Sequence, residues 1–120
     1  MLVAAHPMAP IQRSAMPTWR QETALVAQEC AATPGAIVAG DLNATLDHPG
    51  LRALGPCVDA ARAVGAGARG TWPAGVPTLL AAPIDHVLVD GRRWRVASFD
   101  VLPETGGSDH RPVVARLVPR

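Results

Sequence analysis

Three short segments carry the polar groups of this chain that could act together. Gly40-Asp41-Leu42-Asn43 sets a carboxylate and an amide two residues apart after an apolar run. In an extended segment that spacing sends both side chains to one side, where they could hold a water and a phosphoryl oxygen. The same Asp-x-Asn pattern also suits a turn, because both residues accept left-handed backbone and cap their own amides. Ile84-Asp85-His86-Val87 puts a carboxylate at the start of an apolar strand, a costly position unless it is paired. A histidine partner would remove the cost and fix a tautomer; an ion pair with Arg92 or Arg93 would also serve. Ser108-Asp109-His110-Arg111-Pro112 makes a carboxylate and an imidazole neighbours. In extended backbone the two face opposite ways and so have separate tasks.

His6 closes the first apolar run, with Pro10 four places later. His86 should face away from Asp85 and is not counted as catalytic, and His48 is read as a helix-start residue. None of the four histidines has the spacing of a zinc motif, and the oxygen-rich donors point to Mg²⁺ or Mn²⁺ instead. Gly65-Ala66-Gly67-Ala68-Arg69-Gly70 is a loop but no P-loop, since no Gly-Lys-Ser/Thr follows. Arg13, Arg20, Arg69 and Arg111 are candidates for phosphate contacts, each with a solvated surface role as the alternative.

These groups need rigid elements to aim them. Leu2 to Ala5, Ala36 to Gly40, Ile84 to Val89, Trp94 to Val101 and His110 to Val118 read as strands, the first as a buried one. Thr18 and Gln21 fit a capping box opening a helix that runs to about Ala32 and buries Trp19, Thr23, Val26, Ala27 and Cys30. Pro34-Gly35 ends it. A shorter helical piece is expected from His48 through Leu54, and another over Cys57 to Val64 with Asp59 near its start. Strands with interspersed helices give an α/β or α+β class.

Composition sets the outer limits. The 120 residues are 48% hydrophobic but only 3% aromatic, so the core rests on Ala, Val and Leu. Net charge is +1 and every basic residue is Arg, which is not the strongly basic balance of a protein held on DNA by counterion release. Cys30 and Cys57 fit neither a redox nor a zinc motif and are expected as two small buried thiols, with a disulfide as the alternative. No apolar run approaches the ~18 residues of a membrane span. Localisation is therefore open between a cytoplasmic site and an extracytoplasmic one reached through an upstream anchor.

Taken in order, Gly-Asp-Leu-Asn, Ile-Asp-His-Val and Ser-Asp-His-Arg-Pro resemble the endonuclease/exonuclease/phosphatase superfamily of DNase I-like, metal-dependent phosphoesterases. The resemblance implies a two-sheet α/β sandwich and spans residues 1–120 as the carboxyl-terminal half of that domain. The amino-terminal half, with its Asn and Glu segments, is expected upstream. It implies one-step hydrolysis with Mg²⁺ or Mn²⁺. Asp41 would position the attacking water and Asn43 would stabilise developing charge. Asp85 would orient His110, which binds phosphate and moves a proton. Asp109 would help hold the metal and His6 would serve the leaving group. Thr71-Trp72 also recurs in the family, and Trp72 is either a groove residue or a packed aromatic. Nucleic acid, a phospholipid headgroup or a small phosphate ester would be the partner. The alternative is a catalytically silent fragment or a partner-binding remnant.

Overall fold

The computed structural model describes residues 1–120. Strand β1 (Leu2–Ala4) leads through a 3-10 turn at Arg13–Ala15 into helix α1 (Met16–Ala32), which returns the chain to β2 (Ile37–Asp41). β1 and β2 are parallel, as a helical crossover requires. Then follow β3 (Cys57–Asp59), the one-turn helix α2 (Ala60–Ala63), β4 (Asp85–Asp90), β5 (Trp94–Val101) and β6 (Val113–Pro119). Four strands form one sheet in the order β1-β2-β4-β3; β5 and β6 form a separate antiparallel pair. The result is a mixed α/β sandwich of two sheets.

Strand β4 is the centre of the molecule. His86 through Asp90 are all buried, which explains an apolar run without alternation. Leu88 faces α1, packing with Trp19, Ala27, Cys30 and Val38. Val87 and Val89 face the other way, onto Phe99, Val96, Ala115 and Leu117 of the hairpin. Asp41 and Asp85 share the hairpin-facing side, because side chains alternate along a strand. The catalytic candidates thus sit at one end of the space between the sheets.

Several sequence expectations change. β1 is an exposed edge strand rather than a buried one, with Leu2 open to solvent. Helix α1 begins at Met16 with Pro17 in its first turn, and no side chain caps it, so the Thr18–Gln21 capping box does not form. Its buried face is Trp19, Thr23, Ala27 and Cys30. The stretch around His48 is a series of turns and no helix. His48 Nδ1 accepts a hydrogen bond from the Thr45 amide (2.9 Å), and its ring meets Trp19 edge-on at 4.9 Å. Cys57–Asp59 pairs with β4 as a strand, leaving only Ala60–Ala63 helical, with Asp59 accepting from the Arg62 amide as cap. The last strand starts at Val113, beyond the proline, so His110 lies in the preceding loop.

Cys30 and Cys57 form a disulfide between the end of α1 and β3, both sulfurs buried. Two thiols packed where a helix end meets an edge strand are close enough to join. At the far end of β4, buried Asp90 accepts from the Gly35 amide (2.8 Å) and from Arg92 Nε (2.7 Å). The Arg92 side chain and the Gly35 amide hold its carboxyl well below the usual carboxylate range.

Two stability predictions follow from these ties. The bridge closes a loop of sequence separation 27. Replacing both cysteines by alanine should lower unfolding free energy by about 3–4 kcal/mol on the chain-entropy account, read by urea denaturation. Asp90 has a depressed folded-state pKa, so its contribution is present above the ordinary value of 3.8 and fades as pH falls toward the folded value. Arg92→Gln should therefore move the acid-unfolding midpoint, followed by circular dichroism, to higher pH. An unchanged midpoint would detach this pair from acid stability.

Candidate active site

Asp41 ends β2, Asp85 begins β4, and the two face each other directly across the antiparallel pair. Gly40, just before Asp41, admits the chain leaving β1 close beside this pair. It has φ +154°, and a Cβ there would lie 1.9 Å from the Ala5 carbonyl oxygen, so β1 can pass closely only beside glycine. His6 follows Ala5, which brings its Nε2 to 3.5 Å from Asp41 Oδ2.

The third wall comes from the loop ahead of β6. His110 Nδ1 lies 2.8 Å from Asp85 Oδ2, a hydrogen bond that makes Nδ1 the donor and leaves Nε2 facing Asp41 Oδ2 at 3.7 Å. Burial alone would lower the His110 pKa. The Asp85 hydrogen bond and charge, with Asp41 and Asp109 nearby, outweigh it and leave the pKa raised. Asp41, Asp85 and His110 can each offer one ligand atom, all within 4.8 Å of one another. Arg92, the other partner open to Asp85 from sequence, is bound to Asp90 instead.

Asp41 and Asn43 are not on an extended segment. Asn43 has φ +48°, and its amide donates to Asp41 Oδ1 at 2.8 Å, so the turn reading describes the backbone here. The Asn43 side chain donates to the Pro7 carbonyl (2.9 Å), while Trp19 Nε1 donates to the Asn43 carbonyl (3.0 Å). Helix α1 and the His6 loop thus fix the amide next to Asp41. The turn does not remove Asn43 from the site: it borders the same cavity as His110.

Asp109 lies outside the close three-residue group. Its Oδ2 accepts from Trp72 Nε1 at 3.1 Å, and its carbonyl accepts from the Ala74 amide. Arg111 has its terminal nitrogens committed to backbone carbonyls rather than open to a phosphate. It donates to the carbonyls of Gly70, Pro73, Ala74 (2.8 Å) and Val76, clamping that loop onto the Ser108–His110 segment. This corrects the phosphate-contact reading of Arg111. A side chain with five donors in a rigid fork can satisfy a whole bend of carbonyls.

Thr71 is a positioning residue whose role the sequence did not disclose. Its Oγ1 accepts from the amides of Ile84 and Asp85 (3.3 and 3.2 Å), and its carbonyl accepts from the Arg111 amide (2.8 Å). It therefore joins the strand bearing Asp85 to the loop bearing His110. The Thr71-Trp72 pair was the available signal, but it did not say which residue mattered or why.

His86 points to the opposite side of β4 from Asp85. Nδ1 lies 2.8 Å from Asp59 Oδ2 and Nε2 lies 2.8 Å from the Ala44 carbonyl. Both ring nitrogens face acceptors, so both donate. Burial lowers the pKa, but Asp59 and the Ala44 carbonyl raise it further, for a net upward shift. This pair anchors the backbone just after Asn43 from beneath.

For a divalent cation the donors are suitable: two carboxylates and an imidazole, hard oxygen ligands predominating. Glu22, by contrast, is bound to the Met8 amide, and Glu29 to Thr33. No helix is long and apolar enough to cross a membrane.

Comparison with known proteins places this geometry. The chain matches the model of the endonuclease/exonuclease/phosphatase family over residues 3–110. No curated protein matches it. A functionally unknown conserved protein from Enterococcus faecalis superposes with a TM-score of 0.73 at 20% identity, covering 98% of this chain and 50% of that one. A mannosyl-6-phosphatase from Bacteroides thetaiotaomicron gives 0.66 at 23%, covering 96% and 49%. The human Nocturnin catalytic domain, solved with bound sulfate, gives 0.68 at 17%, covering 98% and 47%. At such identities the likeness is one of fold, and the chain spans about half the length of these structures. The family match over most of the sequence carries the assignment: this chain belongs to the endonuclease/exonuclease/phosphatase family.

Proposed function

We propose that the chain acts in the hydrolysis of a phosphate ester, with Asp41, Asn43, Asp85 and His110 as its working residues and His6 on the leaving-group side. The observation that carries this reading is the Asp85–His110 hydrogen bond set against Asp41 at one mouth of the sandwich. Family membership and a phosphatase among the fold neighbours support it.

In this mechanism His110, whose pKa the Asp85 hydrogen bond and the neighbouring carboxylates raise against burial, receives the phosphate through Nε2. Asp85 holds its tautomer and orientation. Asp41, facing both His6 and His110, positions a water and accepts its proton as attack proceeds. The second N–H of the Asn43 side-chain amide, whose first is bonded to the Pro7 carbonyl, donates to the oxygen on which charge develops. His6 is mostly exposed and free to protonate a departing oxygen. Mg²⁺ or Mn²⁺ would be held by carboxylates of Asp41 and Asp85, with Asp109 reaching it through water. Such an ion, when bound, neutralises charge on the phosphoryl group.

The second reading, a silent fragment, draws on one fact: the chain spans about half the length of its solved neighbours. A chromogenic phosphodiester separates the two. With Mg²⁺ the 120-residue chain should show turnover that EDTA removes. His110→Ala should lower it by about 10²–10⁴-fold, the usual weight of a general acid–base group, and Asp85→Asn should lower it less. A folded chain without turnover would sink the catalytic reading and leave the fragment reading standing.

A further inference from the structure

The site has two unlike flanks. On one side of Asp85 lies a cavity of about 280 Å³ bordered by Arg62, Arg69, Asp47 and Asp59, a polar surface. On the other side, Asn43 and His110 form part of the wall of a cleft of about 440 Å³. The rest of that wall is Pro10, Ile11, Trp72, Ala82 and Ile84, together with Ala9. His110 is its sole titratable residue.

The apolar side chains there are not core residues. Ile11 is 89% exposed and Trp72 is 41% exposed. Trp72 is nevertheless held in place: its indole nitrogen is bonded to Asp109, and its backbone pairs with Ala82. Arg111 clamps the bend that follows. A tethered, half-open indole and an exposed isoleucine bordering one cleft offer apolar area that water covers poorly, and a fitting group would gain by displacing that water.

Resting on the phosphoesterase reading above, we propose that the cleft bordered by Ile11 and Trp72 takes the ester substituent of the substrate, an uncharged aryl or alkyl group. The phosphate of the same molecule lies on His110 and Asn43. A polyanionic strand is the poorer occupant, because the cleft offers no arginine to the next phosphate along.

The test is binding, not turnover. Methylphosphonate, phenylphosphonate and inorganic phosphate would be titrated into the 120-residue chain with Mg²⁺ present, by calorimetry. Nuclear magnetic resonance would follow the Trp72 indole proton. Phenylphosphonate should bind at least about tenfold tighter than methylphosphonate, about 1.4 kcal/mol, and should alone shift that proton strongly. Ile11→Asp alters an exposed side chain, and circular dichroism would verify its fold. It should bring the phenyl-to-methyl ratio close to one.

Equal affinities for the two phosphonates would overturn the inference and leave the phosphoesterase reading intact. Failure of all three anions to bind would overturn both. A ratio untouched by Ile11→Asp would remove the cleft as the cause. A thymidine dinucleotide bound more tightly than phenylphosphonate would replace an isolated apolar substituent with a nucleic acid strand.

Discussion

Two carboxylates directly opposed on neighbouring strands repel one another, and everything around Asp41 and Asp85 answers that repulsion. The β2–β4 register that sets them opposite is the one that buries Val38, Leu88 and Val89, so the core dictates the conflict. Like charges in such a pair are destabilising and call for a cation between them. His110 approaches from the hairpin loop and donates to Asp85, and the carboxylates beside it raise its pKa despite burial. His6 approaches from the exposed side. Asp41, Asp85 and His110 thereby offer one potential ligand atom each, all within 4.8 Å of one another.

Support for the cluster is layered on both faces of β4. Above it, Thr71 ties the Asp85 amide to the Arg111 segment, and Arg111 in turn holds the loop from Gly70 to Val76. Below it, the buried His86–Asp59 pair grips the Ala44 carbonyl and so steadies the turn at Asn43. Adjacent histidine-bearing segments therefore do opposite work. His110 leaves Nε2 without a hydrogen bond, whereas His86 has both nitrogens committed to structure.

Much of this was legible in the chain. Apolar runs announced β2, β4 and β5, and the cost of an unpaired carboxylate at a strand end pointed to a histidine partner for Asp85. The buried face of α1 followed from helical spacing. What failed was local chemistry without a tertiary view. Thr18 and Gln21 have the capping-box pattern, yet Pro17 and the preceding 3-10 turn start the helix earlier. Cys57–Asp59 is too short to announce itself and is a strand because β4 offers it a ladder. Arg111 was a candidate for phosphate from its loop position alone; only the folded loop shows its terminal nitrogens bonded to backbone carbonyls. Cys30 and Cys57, 27 residues apart, meet only because α1 lies across the sheet.

The separation of the two sheets has a consequence for motion. No backbone ladder joins β5–β6 to the four-stranded sheet; side-chain packing unites them. Such a hairpin is a natural unit of partial opening, at a free-energy cost below that of global unfolding. Yet its loop is pinned at two peptide positions flanking His110, where Ala74 donates to the Asp109 carbonyl and Arg111 donates to that of Thr71. Slow hydrogen exchange at those two amides, against faster exchange along the hairpin's outer edge, would be the signature of a histidine moored independently of the strand that follows it.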